Sequence, residues 1–321
     1  MHINNEIPEY ISETPMSITL ISVNRYAPHY HENALEFVYC LSGSVDFTIS
    51  HEKMHLNKGE LVLIEHKNFH SISSSEDNIL LIIHININNC GHDSDIIQYM
   101  YFSCATELCK PYQTVRFHDI RNILLILSYL YTSKHEHDTH IYTNTAYRLV
   151  NILVEYFTWF AIEDFVSEEN KAFKERLTRI LAYMQKHFKD KITLSLISHN
   201  EYINENYLSQ FIKRTPFHSF TYMINYIRCF EAEKLLLTTD MSIQDISDSC
   251  GFSSKKYFHK YFKFFWGTTP LQHRKLCLKK AELLNEIYIL SSAEALPLIE
   301  HEICENLVKD YLSDNFCYVT L

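Results

Sequence analysis

Lys255, Lys256, His259 and Lys260 are spaced so that a helix would carry them on one side. Tyr257, Phe258, Tyr261 and Phe262 would form the apolar stripe on the other. Cations so arranged can neutralise phosphates or reach base edges in a groove. An upstream segment offers Asn206, Ser209, Gln210 and Lys213 at similar spacing. It is less charged, and Asn and Gln can pair bidentately with adenine. The run His135-Glu136-His137-Asp138-Thr139-His140 is a weaker candidate for metal binding and reads as a solvated loop.

The net charge of −10 over 321 residues argues against a nucleic-acid binder, but its distribution reverses the argument. Residues 171–280 hold 19 Lys and Arg against 9 Asp and Glu, a net of +10. Residues 1–170 carry −13 and residues 281–321 carry −7. A basic block between acidic ones suggests a polyanion-binding module joined to something that is not one. No basic stretch followed by an apolar run marks a signal peptide, and no apolar stretch is long enough for a bilayer. The nine cysteines form no Cys-x-x-Cys pair and read as reduced core thiols of a cytoplasmic protein.

The elements that must position these residues differ along the chain. From Ala34 to Ile49, apolar residues alternate on both sides of Ser42-Gly43-Ser44, the pattern of strand, turn, strand. Runs at 60–65 and 78–86 suggest further strands, and together a small β-barrel or sandwich. From about Asp119 the period becomes helical: Ile120, Ile123, Leu124 and Leu127 share a face, as do Val150, Leu153, Val154 and Phe157. Those faces could pack on the barrel or on a second subunit. The polar stretch 163–170 is the expected domain boundary, and an amphipathic helix follows from Phe173.

Around the basic residues, Ile243, Ile246 and Cys250 form the inner face of a short helix. Gly251 marks a sharp turn, and Ser253 is a candidate cap for the next helix. The stretch Ser242–Lys263, continued by Gly267-Thr268-Thr269-Pro270 and His273-Arg274, resembles the signature of AraC/XylS-family regulators. Ser247 stands for the usual Ala and His273 for the usual Tyr. A second unit upstream, Ile192–Ser198 and Asn204–Lys213, resembles the family's first helix-turn-helix, with Tyr202 and Phe217 where Gly is frequent. The resemblance covers about residues 172–275 and implies two recognition helices on one connecting helix.

His29-Tyr30-His31, Glu36, Gly43, Gly59 and His70 resemble the two cupin motifs, with Glu65 and Lys67 in place of the usual Pro and Gly. Such a barrel in this family implies effector sensing or dimerisation. The resemblance also implies that His29, His31, Glu36 and His70 could hold a divalent metal. The expectation here is a metal-free scaffold of local hydrogen bonds.

The sequence thus implies an α+β chain. Residues 1–165 are a cupin-like sensing and dimerisation barrel with accessory helices. Residues 171–280 are an all-α double helix-turn-helix, and 281–321 an acidic helical extension with two amphipathic stretches, 281–290 and 298–312. The expected function is sequence-specific binding of double-stranded DNA by a cytoplasmic homodimer that regulates transcription. It would have no enzymatic activity, cofactor or membrane contact, a small-molecule effector in the barrel, and RNA polymerase as partner if it activates. The alternatives are a metal-dependent cupin enzyme fused to a DNA-binding domain, or a ligand-independent regulator controlled by a partner protein.

Overall fold

A computed structural model of the chain describes residues 2–89, 97–109, 113–133, 138–157 and 168–316, with the side chains of 168–171 and 307–316 left undescribed. Of the expected boundary, 163–167 lie outside the described residues and 168–170 already belong to a helix. His135 to His137 also lie outside them.

Seven strands form an antiparallel, nearly closed barrel: β1 Met16–His29, β2 Ala34–Ser42, β3 Ser44–Ile49, β4 Glu52–Asn57, β5 Leu61–Ile64, β6 His70–Ser73 and β7 Ile79–Asn86. The strands read on either side of Gly43 exist, but they do not pair with each other. β2 pairs with β5 and β7, while β3 pairs with β4 and β6. Gly43 makes the corner at φ 71°, where a Cβ would stand 2.0 Å from the Asp77 carbonyl oxygen. β2 is buried on both faces. Val38 and Cys40 point into the barrel with Phe47 and Ile82, whereas Leu35, Phe37 and Tyr39 belong to the core shared with the helices.

Two helices, α1 Thr114–Thr132 and α2 Thr139–Tyr156, supply that outer core through Ile120, Leu124, Leu127, Leu149 and Leu153. The helical half follows: α3 Glu168–Lys186, α4 Leu194–Asn200, α5 Glu205–Lys213, α6 Phe220–Thr238, α7 Ile243–Ser249, α8 Lys255–Trp266 and α9 Pro270–Ala281.

The tail corrects the sequence reading. Within 281–290, expected as an amphipathic stretch, the chain forms strand β8 Glu286–Ile289, antiparallel to β1 from Ile21↔Ile289 to Arg25↔Glu286. Leu290 N–H donates to Leu20 O at 2.9 Å, and Ala27 N–H to Asn285 Oδ1 at 2.8 Å. α10 Ser292–Phe316 then lies on α1 and buries Ala295 and Ile299. Tyr39 OH donates to Glu302 Oε1 at 2.6 Å, and Lys58 Nζ reaches Glu305 Oε2 at 2.9 Å. Burial of one Ile side chain stabilises by about 2 kcal/mol. The apolar face of α1, expected to need the barrel or a second subunit, is therefore covered in part by the chain's own end.

Candidate functional site

The helical half contains two similar helix-turn-helix units, α4–α5 and α7–α8, joined by α6. Every helix in them starts on a capping side chain. Thr193 accepts from Leu196 N–H, Asn204 from Tyr207 N–H at 2.7 Å, and Ser242 from Asp245 N–H. The cap of α8 is Ser254 and not Ser253, a one-residue correction: Ser254 Oγ accepts from Tyr257 N–H. Ser253 is exposed. Thr269 and Gln272 close a reciprocal capping box on α9.

α8 buries Phe258, Tyr261, Phe262 and Trp266. Tyr257, read as part of this stripe, is half exposed and stands on the solvent side with Lys255, Lys256 and Lys260. His259 is partly buried, and burial with the nearby Lys255 charge lowers its pKa. It therefore presents a neutral imidazole at pH 7, not a cation. On α5, Leu208, Phe211 and Ile212 are buried, while Asn206, Gln210 and Lys213 are exposed and Ser209 is half-buried. His273 and Arg274 face inward. Arg274 donates to Leu236 O and Met241 O, both at 2.8 Å. His273 Nε2 lies 2.8 Å from Glu233 Oε1. Burial alone would lower the His273 pKa, but its hydrogen bonds with Cys277 and Glu233 carry it up to about 10.

The connecting helix α6 touches the barrel, and the Trp266 ring at the end of α8 lies 5.7 Å from that of His51. Ser50 Oγ donates to Glu233 Oε2 at 3.0 Å, and Lys234 Nζ pairs with Glu32 at 2.7 Å. The arm before β1 adds Ile3 N–H to Leu237 O at 2.9 Å.

In the barrel, His29 and His31 at the end of β1, Glu36 on β2 and His70 at the start of β6 bring one ligand atom each within 4.8 Å of one another, all buried. Three of the rings are oriented by backbone carbonyls. His29 Nδ1 faces Ala27 O at 2.9 Å, His31 Nδ1 faces Glu6 O at 2.6 Å, and His70 Nδ1 faces Asn68 O at 3.0 Å. A carbonyl only accepts, so each Nδ1 carries a hydrogen; a neutral ring then turns Nε2 inward as an acceptor, and a protonated one turns Nε2–H inward as a donor. His31 and His70 Nε2 both stand 3.0 Å from Glu36 Oε2. Burial opposes ionisation of Glu36, yet the His70 charge and the surrounding imidazole hydrogen bonds hold it well below the usual carboxylate range. Burial lowers His31 while Glu36 raises it, with a net rise. The Nε2 atoms of His70 and of His84 are both buried, 3.0 and 3.6 Å from the Glu36 carboxylate.

His84 escaped the sequence reading. It stands directly opposite Glu36 across the β2–β7 pairing, 3.6 Å from its carboxylate. Only the strand register, which no short motif encodes, brings it there. A pocket of about 330 Å³ opens beside these residues, between Glu6 of the arm, Ile82 of β7, and Ile287 and Ile289 of β8.

Residues 198–276 match a helix-turn-helix domain, and residues 22–86 match a cupin domain. The chain is similar to an uncharacterized HTH-type transcriptional regulator of Staphylococcus aureus (strain COL), 25% identical over 75% of this chain and 31% of that protein. It is also similar to the uncharacterized HTH-type transcriptional regulator YisR of Bacillus subtilis (strain 168), 29% identical over 34% of this chain and 38% of that protein. The chain thus spans about a third of the length of the curated relatives it matches. Among solved structures, the C-terminal domain of AraT, a response regulator from Geobacillus stearothermophilus, is 30% identical and covers 35% of this chain and 87% of its own, with a TM-score of 0.29. ToxT from Vibrio cholerae O395 is 13% identical and covers 84% of this chain and 99% of its own, with a TM-score of 0.43.

Proposed function

We propose that the chain, which carries a helix-turn-helix domain and a cupin domain, is an AraC-type regulator that binds double-stranded DNA sequence-specifically through α5 and α8 and regulates transcription in the cytoplasm. The observation that carries this reading is the pair of capped helices on either side of α6, each with a buried apolar stripe and a polar outer face. Such helices can enter successive major grooves about 34 Å apart. Lys255, Lys256 and Lys260 neutralise phosphates or contact guanine. His259, Asn206, Ser209 and Gln210 hydrogen-bond to base edges, and Lys213 holds the backbone beside the first unit.

In this reading residues 171–280 bind DNA, residues 1–165 sense an effector and dimerise, and 281–321 brace the barrel. Val115 and Ile126, exposed eleven residues apart on one side of α1, support a homodimer contact. The pocket beside Glu36 supports a small-molecule effector; the reading assigns the barrel no enzymatic activity, and RNA polymerase is the further partner of an activator. Hydroxyl-radical footprinting of the full chain on its own upstream region tests the DNA reading. It should protect two minor-groove-flanked segments one helical turn apart per protomer. A single protected segment would leave one unit without a DNA role.

A second reading concerns the barrel. Three Nε2 atoms and an ionised carboxylate converge in a buried space, where each neutral ring sets an acceptor against an acceptor, a conflict that a cation between them relieves. The donor set suits a borderline divalent ion such as zinc, iron or manganese. His29, His31, Glu36 and His70 would hold it, and the ion would supply a Lewis-acid centre for an oxygen-bearing effector. Near-stoichiometric metal, lost together with several degrees of melting temperature in His31→Ala/His70→Ala, is the expected result. Metal-free protein with a melting curve indifferent to added zinc, iron and manganese would restore the scaffold reading.

A further inference from the structure

A cleft of about 250 Å³ separates the barrel from the second helix-turn-helix unit, and neither reading above uses it. Its walls are aromatic: Tyr101 and Phe102 from the barrel side, Tyr226 and Phe230 from α6, and Trp266 from the end of α8. The Tyr101 and Tyr226 rings are 5.7 Å apart, Tyr226 and Trp266 5.9 Å, and Tyr101 and Phe230 6.1 Å. Glu65 lies in the same cleft, at a position where the cupin motif usually lacks a charge. Among the described residues its carboxylate accepts one hydrogen bond, from Phe102 N–H, and no Lys or Arg lines the cleft. Burial pushes the Glu65 carboxyl up to about 8. A carboxyl kept from water without a counter-cation is costly in its charged form.

We propose that this cleft binds a small organic cation, an amine or quaternary ammonium compound, held by aromatic faces and by the Glu65 carboxylate. Ring faces attract ammonium groups, most strongly where water is excluded. An anion would meet Glu65 and Glu52 with no compensating Lys or Arg among the described residues. A neutral apolar ligand would leave the carboxyl unpaired. The volume lies below the ~300–1,000 Å³ of drug-sized pockets, so the ligand is small. Because the walls come from the barrel and from α6 and α8, the occupant ties the two halves together and fixes the second recognition helix against the barrel.

The test is calorimetric titration of the full chain with benzyltrimethylammonium chloride and, as anionic counterpart, sodium phenylacetate. Trp266 emission, read in a Trp159→Phe background, reports the site directly. Saturable cation binding at about 1 mM or tighter, with none for phenylacetate, is expected. Glu65→Gln should weaken it about tenfold or more while keeping the melting temperature. If Glu65→Gln lowers the melting temperature, Tyr226→Leu on the opposite wall must show a comparable loss. No saturable cation binding, binding of the anion instead, or full affinity in both variants would each overturn the proposal. None of these readouts involves DNA, so they stand apart from the test of DNA binding.

Discussion

The two helix-turn-helix units close their turns with the same hydrogen bonds but with different residues. In the first, Ile203 N–H reaches Ser198 O and Tyr202 N–H reaches His199 O. In the second, Phe252 N–H reaches Ser247 O and Gly251 N–H reaches Asp248 O. Both turns therefore require a left-handed residue. Gly251 supplies it at φ 73°, and Tyr202 at φ 54°. The reason for the difference lies in the surroundings. A Cβ at position 251 would stand 2.5 Å from Lys189 O and 2.8 Å from Phe188 O, whereas Tyr202 is almost wholly exposed. The second turn is wedged against the α3–α4 connection, and only glycine fits. The first faces solvent and carries only the cost of the backbone conformation. On the proposed function, the unit with the wedged turn reads DNA through charge, and the unit with the solvent-facing turn reads it mainly through neutral hydrogen-bonding groups.

The largest expected effect lies beside the second unit, where α9 packs on α6. His273→Ala should destabilise by about 3 kcal/mol, because it leaves Glu233 buried without its cation. The pH dependence has a definite sign. A histidine raised to about 10 in the folded chain contributes fully below its unfolded value of about 6.5, and that contribution fades as pH rises toward 10. Denaturant melts of the native chain should therefore weaken between pH 7 and 10, and those of His273→Ala should be flatter. Equal slopes would place the titrating group elsewhere.

Gly251→Ala should cost about 3 kcal/mol, since overlap with two carbonyls adds to the left-handed strain. The carbonyls cannot easily retreat, because Arg228 donates to Phe188 O at 2.9 Å and to Asp190 O at 3.0 Å. A melt within 1 kcal/mol of native would contradict the wedge. The mirror experiment is the smallest: Tyr202→Gly should stabilise by up to about 1 kcal/mol, having strain to relieve and no contact to lose. Destabilisation there would mean that the Tyr202 side chain has a structural partner.

The contrast was partly legible in the sequence. The apolar stripes of α5 and α8, the glycine at 251 and the polar outer residues all follow from local spacing, and local spacing governs helices. The other position flagged for a missing glycine was Phe217, yet the left-handed residue is His218, at φ 56°. That slip, like Ser253 for Ser254, is the one-residue uncertainty of a turn whose geometry is set by what packs beside it. Strand β8 was invisible for a stronger reason. Four residues, too short a run to mark a strand by themselves, become one because β1 offers an open edge. His84 and Glu65 share that limit, since partners far along the chain define their roles.

On the proposed function, α8 holds DNA mainly by charge and α5 mainly by hydrogen bonds. The direct measurement is operator affinity of the full chain against salt concentration, for the native protein, Lys256→Ala/Lys260→Ala and Asn206→Ala/Gln210→Ala. The account predicts a log–log slope about two units shallower for the lysine pair, with affinity lost evenly across sequences. For the Asn/Gln pair it predicts an unchanged slope, with discrimination between operator and altered sites falling by about 1–3 kcal/mol. An unchanged slope in the lysine pair, or a shallower one in the Asn/Gln pair, would contradict it.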